Sequence, residues 1–344
     1  MRHQSLLAGA ALAVVSLLAA GAVQAQDAEP ATTITWKGAP ELKWGDFTLK
    51  PRGRVFLDYV TQDVDRATGL DFGASESRIR TARLGFQGSW ADQWSWVAEA
   101  SIANGEANWE DLLLEYSPSE NTAITVGNFK SLSLENLTSS RYTTFMERGP
   151  FNDLIDAGRV MTLAARTGGD NWSVAGGVHG DNINDPSSGG DEQRGVFARA
   201  HFAPVVTDDT KIHLGVWARD RDRGDDSAFR YRVRNNTNFG DRYTDAGSSP
   251  LGAGDSDTAI GIEAAAVWRS FSVQGDWASV DADLTEFAGV ATAGEYSAVT
   301  VGATWYPFPY VRFMANYTDS KNEAQVAASD VDVQTLQVRA QFDF

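Results

Sequence analysis

Cysteine is absent from this chain, and so is any apolar run long enough to cross a bilayer as a helix. The first absence excludes disulfides and thiolate metal centres, so the fold rests on backbone pairing and packing. The second leaves only a closed barrel as a route through hydrocarbon, because nothing else but a helix satisfies every backbone hydrogen bond there. Basic residues are also in deficit. Lys and Arg total 29 against 46 Asp and Glu, for a formal net charge of −17, which excludes a nucleic-acid partner. A mean hydropathy of −0.30 is too polar for a helical membrane protein. What is plentiful is Gly at 32, Phe at 17, Trp at 11 and Tyr at 9, as expected of a wall with an apolar outside and a polar lumen.

The amino terminus reads as an export signal. Arg2 is followed by an apolar run from Leu6 to Ala20 and then by Val23, Gln24 and Ala25, which suit cleavage after Ala25. The run falls short of the roughly 20 residues of a membrane span. We expect residues 1–25 to be a signal peptide, 26–46 a lead-in carrying Trp36 and Trp44, and 47–344 one barrel domain without internal linkers. The expected location is the bacterial outer membrane, in contact with lipid and lipopolysaccharide.

The carboxyl terminus carries the alternation most plainly. Leu336, Val338, Ala340, Phe342 and Phe344 fall on one face of a strand, and Thr335, Gln337, Arg339, Gln341 and Asp343 on the other. Ending flush on an aromatic resembles the assembly signal of outer-membrane barrels. The same period of two recurs at Ala82–Phe86, Leu112–Tyr116, Ile260–Trp268, Phe271–Trp277, Val299–Trp305 and Val311–Tyr317. Short turns at 91–93, 118–121, 269–270 and 307–309 carry Trp90, Trp94, Trp305, Tyr306 and Tyr310 nearby, where an interfacial girdle belongs. Long external connections are expected at 61–77, 130–157, 180–193, 282–294 and 319–330. The fold class is therefore all-β, a transmembrane antiparallel β-barrel. The segments give about 14 strands, or about 16 if Ser227–Gly247 splits near Asn235 and Asn236, with 18 a further possibility since the number is even.

Three stretches are more specific. They are Arg80-Thr-Ala-Arg83-Leu-Gly-Phe86, Thr125-Val-Gly-Asn-Phe-Lys130, and Ser133-Leu-Glu-Asn-Leu-Thr-Ser-Ser-Arg-Tyr-Thr-Thr-Phe-Met-Glu-Arg148, joined by Phe229–Arg234, Asp241–Asp245 and Ala264–Gly275. Together they resemble the phosphate-selective porin O and P family. The resemblance implies a trimer of 16-stranded barrels narrowed by an infolded third external loop, here residues 130–157, with arginines along the pore and lysines at a central anion site. It implies no cofactor and no catalysis. The anion-site candidates are Arg83, Lys130, Arg141, Arg148, Arg230, Arg232 and Arg234, the last three on one face of a strand. Guanidinium forks match phosphate oxygens, and a series of weak sites lets the ion pass. Small anions such as phosphate are the expected partners.

Other readings stay open at this level. Lumen charges occur in any porin, so a general or cation-preferring channel fits too. Arg219, Arg221 and Arg223 interleave with Asp220 and Asp222 and would form surface ion pairs. Arg80 shares its face with Ala82 and Leu84, so it reaches the lumen only through a bulge or lies at the rim. The chain has Arg80-Thr81 where phosphate-preferring relatives tend to show consecutive arginines, and Ser101 where an acid is expected on the third strand. A barrel hydrolase would need a triad, yet only His179, His201 and His213 follow the signal. A Ca²⁺-binding sandwich, suggested by Asp181–Asp185, lacks an established loop spacing.

Overall fold

A computed structural model of the chain describes residues 32–36, 38–149, 152, 155, 158–184, 190–222, 224, 232–241, 244–245, 254–269, 271–284, 294–324 and 330–344. The expected signal peptide lies outside them. In chain order the strands are β1 (Thr33–Trp36), β2 (Pro40–Trp44), β3 (Phe47–Arg66), β4 (Phe72–Trp90), β5 (Trp94–Ser101), β6 (Asn108–Ser119), β7 (Thr122–Phe129), β8 (Val160–Gly168), β9 (Trp172–His179), β10 (Arg194–Val206), β11 (Thr210–Asp222), β12 (Arg232–Val233), β13 (Thr244–Asp245), β14 (Gly254–Trp268), β15 (Phe271–Leu284), β16 (Gly294–Phe308), β17 (Val311–Ala324) and β18 (Val331–Asp343). A short helix, α1 (Leu134–Leu137), follows β7.

One antiparallel sheet holds 16 strands. Fourteen form the wall in the order β15-β14-β11-β10-β9-β8-β7-β6-β5-β4-β3-β18-β17-β16, and the hairpin β1–β2 attaches to β3. The first and last wall strands pair with each other, Tyr59 opposite Val338 and Val60 opposite Gln337. Among the described residues, β15 and β16 are the ends of this path. Beyond β18, Phe344 exchanges two backbone hydrogen bonds with Gly53, at 2.8 and 3.0 Å.

The wall is inside-out relative to a water-soluble protein. On β18, Leu336, Val338 and Phe342 are 43–45% exposed on the outer face, while Thr335, Gln337, Arg339 and Gln341 are no more than 1% exposed on the inner one. Apolar side chains outside and hydrogen-bonded polar ones inside suit lipid around a hydrated lumen.

Three sequence expectations need correction. The arms of β3 and β4 continue to Arg66 and from Phe72, so their connection is 67–71 rather than 61–77. Likewise β17 runs on to Ala324. Backbone pairing persists above the bilayer, where both faces are wet and apolar alternation is no longer required. The region 227–247 adds no wall strand among the described residues. It contributes β12 and β13, which pair only with each other, and the sixteen-strand count is reached through β1 and β2 instead.

Candidate functional site

The connection from β7 to β8 folds into the barrel, and both its own bonds and the wall hold it there. Ser133 caps α1 by accepting from the Asn136 N–H at 3.2 Å. Arg148 then donates back to the Glu135 and Thr138 carbonyls at 2.9 and 2.6 Å. Glu135 accepts from the Gly149 N–H and from Asn152, both at 2.7 Å. Apolar packing fixes the loop to the wall, since Leu132 and Ile155 are buried against Phe197, Trp217 and Ala259.

Wall charges complete the attachment. Arg80 grips Glu147 with two hydrogen bonds of 2.9 and 2.8 Å, and Arg339 adds a third at 3.0 Å while also pairing with Asp58. Burial alone would raise the Glu147 carboxyl, but the Arg80 and Arg339 guanidiniums hold it down to about 2. Arg312 reaches the Ser140 and Thr143 carbonyls, each at 3.1 Å. Arg219 donates to the Ile155 carbonyl at 2.7 Å, and Glu263 accepts from the Leu134 N–H at 2.6 Å.

Between this loop and the β3–β10 side of the wall lies a cavity of about 380 Å³. Eight cations line it, Arg52, Arg54, Arg83, Lys130, Arg148, Arg159, Arg166 and Arg199, against two carboxylates, Asp111 and Glu115. Further acids orient the guanidiniums. Glu99 pairs with Arg52 at 3.0 Å, Arg54 at 3.2 Å and Arg83 at 3.5 Å. Glu110 takes Arg83 at 2.8 Å and Arg159 at 2.6 Å, and Asp111 takes Arg159 at 2.7 Å. Glu263 pairs with Arg199.

Lys130 differs from these arginines. It makes no hydrogen bond or ion pair among the described residues, and burial together with Arg148, Arg159 and Arg83 pushes its ammonium well below the usual lysine range. Glu110 acts the other way on Lys130, without a direct pair.

The family model for phosphate-selective porin O and P matches residues 49–297 and 280–344. The chain belongs to that family. A similar protein, an uncharacterized one from Caulobacter vibrioides, is 33% identical over 226 residues, spanning 61% of this chain and 44% of the relative. Among solved structures, the anion-selective porin from Comamonas acidovorans is 10% identical with a TM-score of 0.44, covering 87% of this porin and 100% of that chain. The DcaP channel of Acinetobacter baumannii is 11% identical with a TM-score of 0.45, covering 87% and 97%.

The structure distributes the expected site residues of this porin unevenly. Arg83, Lys130 and Arg148 share the basic cavity. Arg141 lies apart from its lining and donates to the Gly53 and Phe344 carbonyls at 2.8 and 3.1 Å, tying the loop to the carboxyl terminus. Arg230 and the side chain of Arg232 lie outside the described residues. Arg234 follows the two-residue β12.

Other expectations resolve in detail. The register passes from Phe56–Thr81 to Leu57–Ile79, leaving Arg80 in the bulge that turns it inward. Ser101 stands where an acid was expected, and Glu99, two residues earlier on the same face of β5, is fully buried among the β3 and β4 arginines. Arg219 and Arg221 do not pair with Asp220 and Asp222; both meet Asp257 on the neighbouring strand, Arg221 at 2.6 Å. Ser173 and His201 lie 2.7 Å apart, but the nearby Glu263 binds His213, on which His201 stacks, so no acid among the described residues bonds to the pair.

Sequence reasoning missed Arg52, Arg54, Arg159, Arg166 and Arg199. Inward alternation with Asp58 and Gln62 could have found Arg52 and Arg54. It also missed a second inward segment, 234–240, held by Gln337 to Thr237 at 2.9 Å, by Asn236 to Thr300 at 3.0 Å and by Arg78 to the Asn238 carbonyl.

Proposed function

We propose that this porin is a passive outer-membrane channel for small hydrophilic solutes with a preference for anions, phosphate among them. The observation that carries the reading is Lys130, without a direct ion pair among the described residues, in a cavity of arginines. Each arginine already held by a carboxylate is oriented yet keeps donors to spare, so a passing oxyanion exchanges hydration for several modest contacts. The flanking acids keep each contact weak enough for release, as conduction requires. The family expectation of a trimer is part of this reading, as is contact with lipid and lipopolysaccharide.

A second reading is a general, cation-preferring porin, favoured by the formal net charge of −17. Reversal potential across a KCl gradient separates the two, with phosphate then titrated against the chloride current. The anion reading expects anion selectivity and saturable phosphate block, weakened about tenfold or more by Lys130→Glu, a change of ~1.4 kcal/mol. Cation selectivity without block would leave the general porin.

A further inference from the structure

The infolded loop has two sides, and only one of them is basic. On its other side, bordered by β15, β16 and β17, lies a second chamber of about 480 Å³, beside the two ends of the sheet path, since β15 and β16 do not pair with each other among the described residues. That volume falls within the range of small-molecule sites. Its charges are already spent on the protein. Glu147 is committed to Arg80 and Arg339, Glu135 to the Gly149 N–H and Asn152, and Arg148 to loop carbonyls.

Apart from Asp276, what remains toward the chamber is neutral and hydrogen-bonding, with an aromatic surface. Tyr142 is 72% exposed and Phe145 38% exposed, large values for aromatics on a loop inside a barrel. Thr300 and Asn236 face them from the wall and from the second inward segment, 3.0 Å apart. Asp276 accepts from Gln274 through one oxygen at 3.1 Å, and its buried Oδ1 has no protein donor. An acceptor without a donor, amides and hydroxyls of both polarities, and an exposed aromatic face match a solute with many O–H groups and an apolar C–H face. An anion fits poorly, because Asp276 repels it and Arg148 is the lone cation among the described residues of the lining.

We propose that this chamber is a second passage through the same barrel, taking uncharged polyhydroxylated solutes of monosaccharide size beside the basic passage for anions. The inference rests on the porin reading for conduction but not on its anion preference. Two inward-facing alanines allow the passages to be closed separately, Ala298 in this chamber and Ala164 in the basic cavity.

Liposome swelling in glucose and phosphate block of the bilayer current are measured for wild type, Ala298→Trp and Ala164→Trp, each checked for heat-modifiable migration in SDS. The expected result is reciprocal. Ala298→Trp cuts glucose flux about tenfold and leaves phosphate block unchanged, and Ala164→Trp does the reverse. Should Ala298→Trp fail to assemble, Asp276→Leu replaces it, with the same loss of glucose flux expected. Glucose flux that survives either chamber variant, or that falls with Ala164→Trp, would overturn the second passage. If glucose follows the expected pattern while wild type shows no phosphate block, the anion reading alone fails.

Discussion

Lys130 is the residue on which the anion reading can be tested most directly. Its ammonium is held below the usual lysine range by burial and by Arg148, Arg159 and Arg83, so it is charged only below that lowered value. An anion beside it favours the charged form, so binding raises its pKa and takes up a proton. Anion preference should therefore fall as pH rises while still below about 10, where an ordinary lysine would stay charged. In sulfate or chloride, which do not titrate there, we expect the permeability ratio to drop about fivefold, the ~1 kcal/mol of one unit charge at 4 Å in water. Lys130→Arg should abolish this pH dependence, because a guanidinium stays protonated throughout. A wild-type ratio that is flat across the same pH range would remove Lys130 from the conduction path.

The constriction loop behaves as an element because many separated wall groups hold it. Glu147 is its ionic latch, and the sign of its pH dependence follows from the held-down carboxyl. A carboxylate lowered to about 2 contributes its full stability above the ordinary carboxylate range and loses it progressively as pH falls from there through about 2. Acidifying from pH 7 to about 3 should thus weaken the latch but leave Glu147 mostly ionised and the loop held. Glu147→Gln should loosen it at every pH, at a cost of about 1–3 kcal/mol for lost bonds to charged groups. Open-channel current noise is the readout, quiet in wild type at both pH values and raised in the variant. That the loop needs a role was legible from its length, and its infolding from the family resemblance. Its anchors were not. Arg80 and Glu147 are 67 residues apart, and Arg80 turns inward only through a bulge that no periodic pattern announces. Similarly, the stretch 227–247 was expected to supply two strands, yet Thr237 and Asn236 within it bond inside the lumen to Gln337 and Thr300.

At the scale of the whole molecule, alternation made the barrel legible, whereas net charge was a poor guide to the lumen. Asp220 and Asp222 point outward while Arg219 and Arg221 between them point in, so one strand adds acid to the total and base to the interior. Ring closure between β3 and β18 depends on a different local fact. Gly53 exchanges backbone hydrogen bonds with Phe344, whose ring lies where a Cβ at Gly53 would stand, and the Arg83 carbonyl would be only 2.7 Å from that atom. The terminal aromatic thus caps the first wall strand, and the glycine makes room for it. A β-branched residue suits a strand in general, so Gly53→Val isolates the steric conflict from propensity. We expect Gly53→Val to deplete the heat-modifiable, folded form, whereas Gly275→Val on β15, where a Cβ meets nothing within 4 Å, should assemble like wild type. Equal assembly of both variants would mean that the Phe344 ring can leave Gly53 without loss, and that closure rests on the β3–β18 ladder alone.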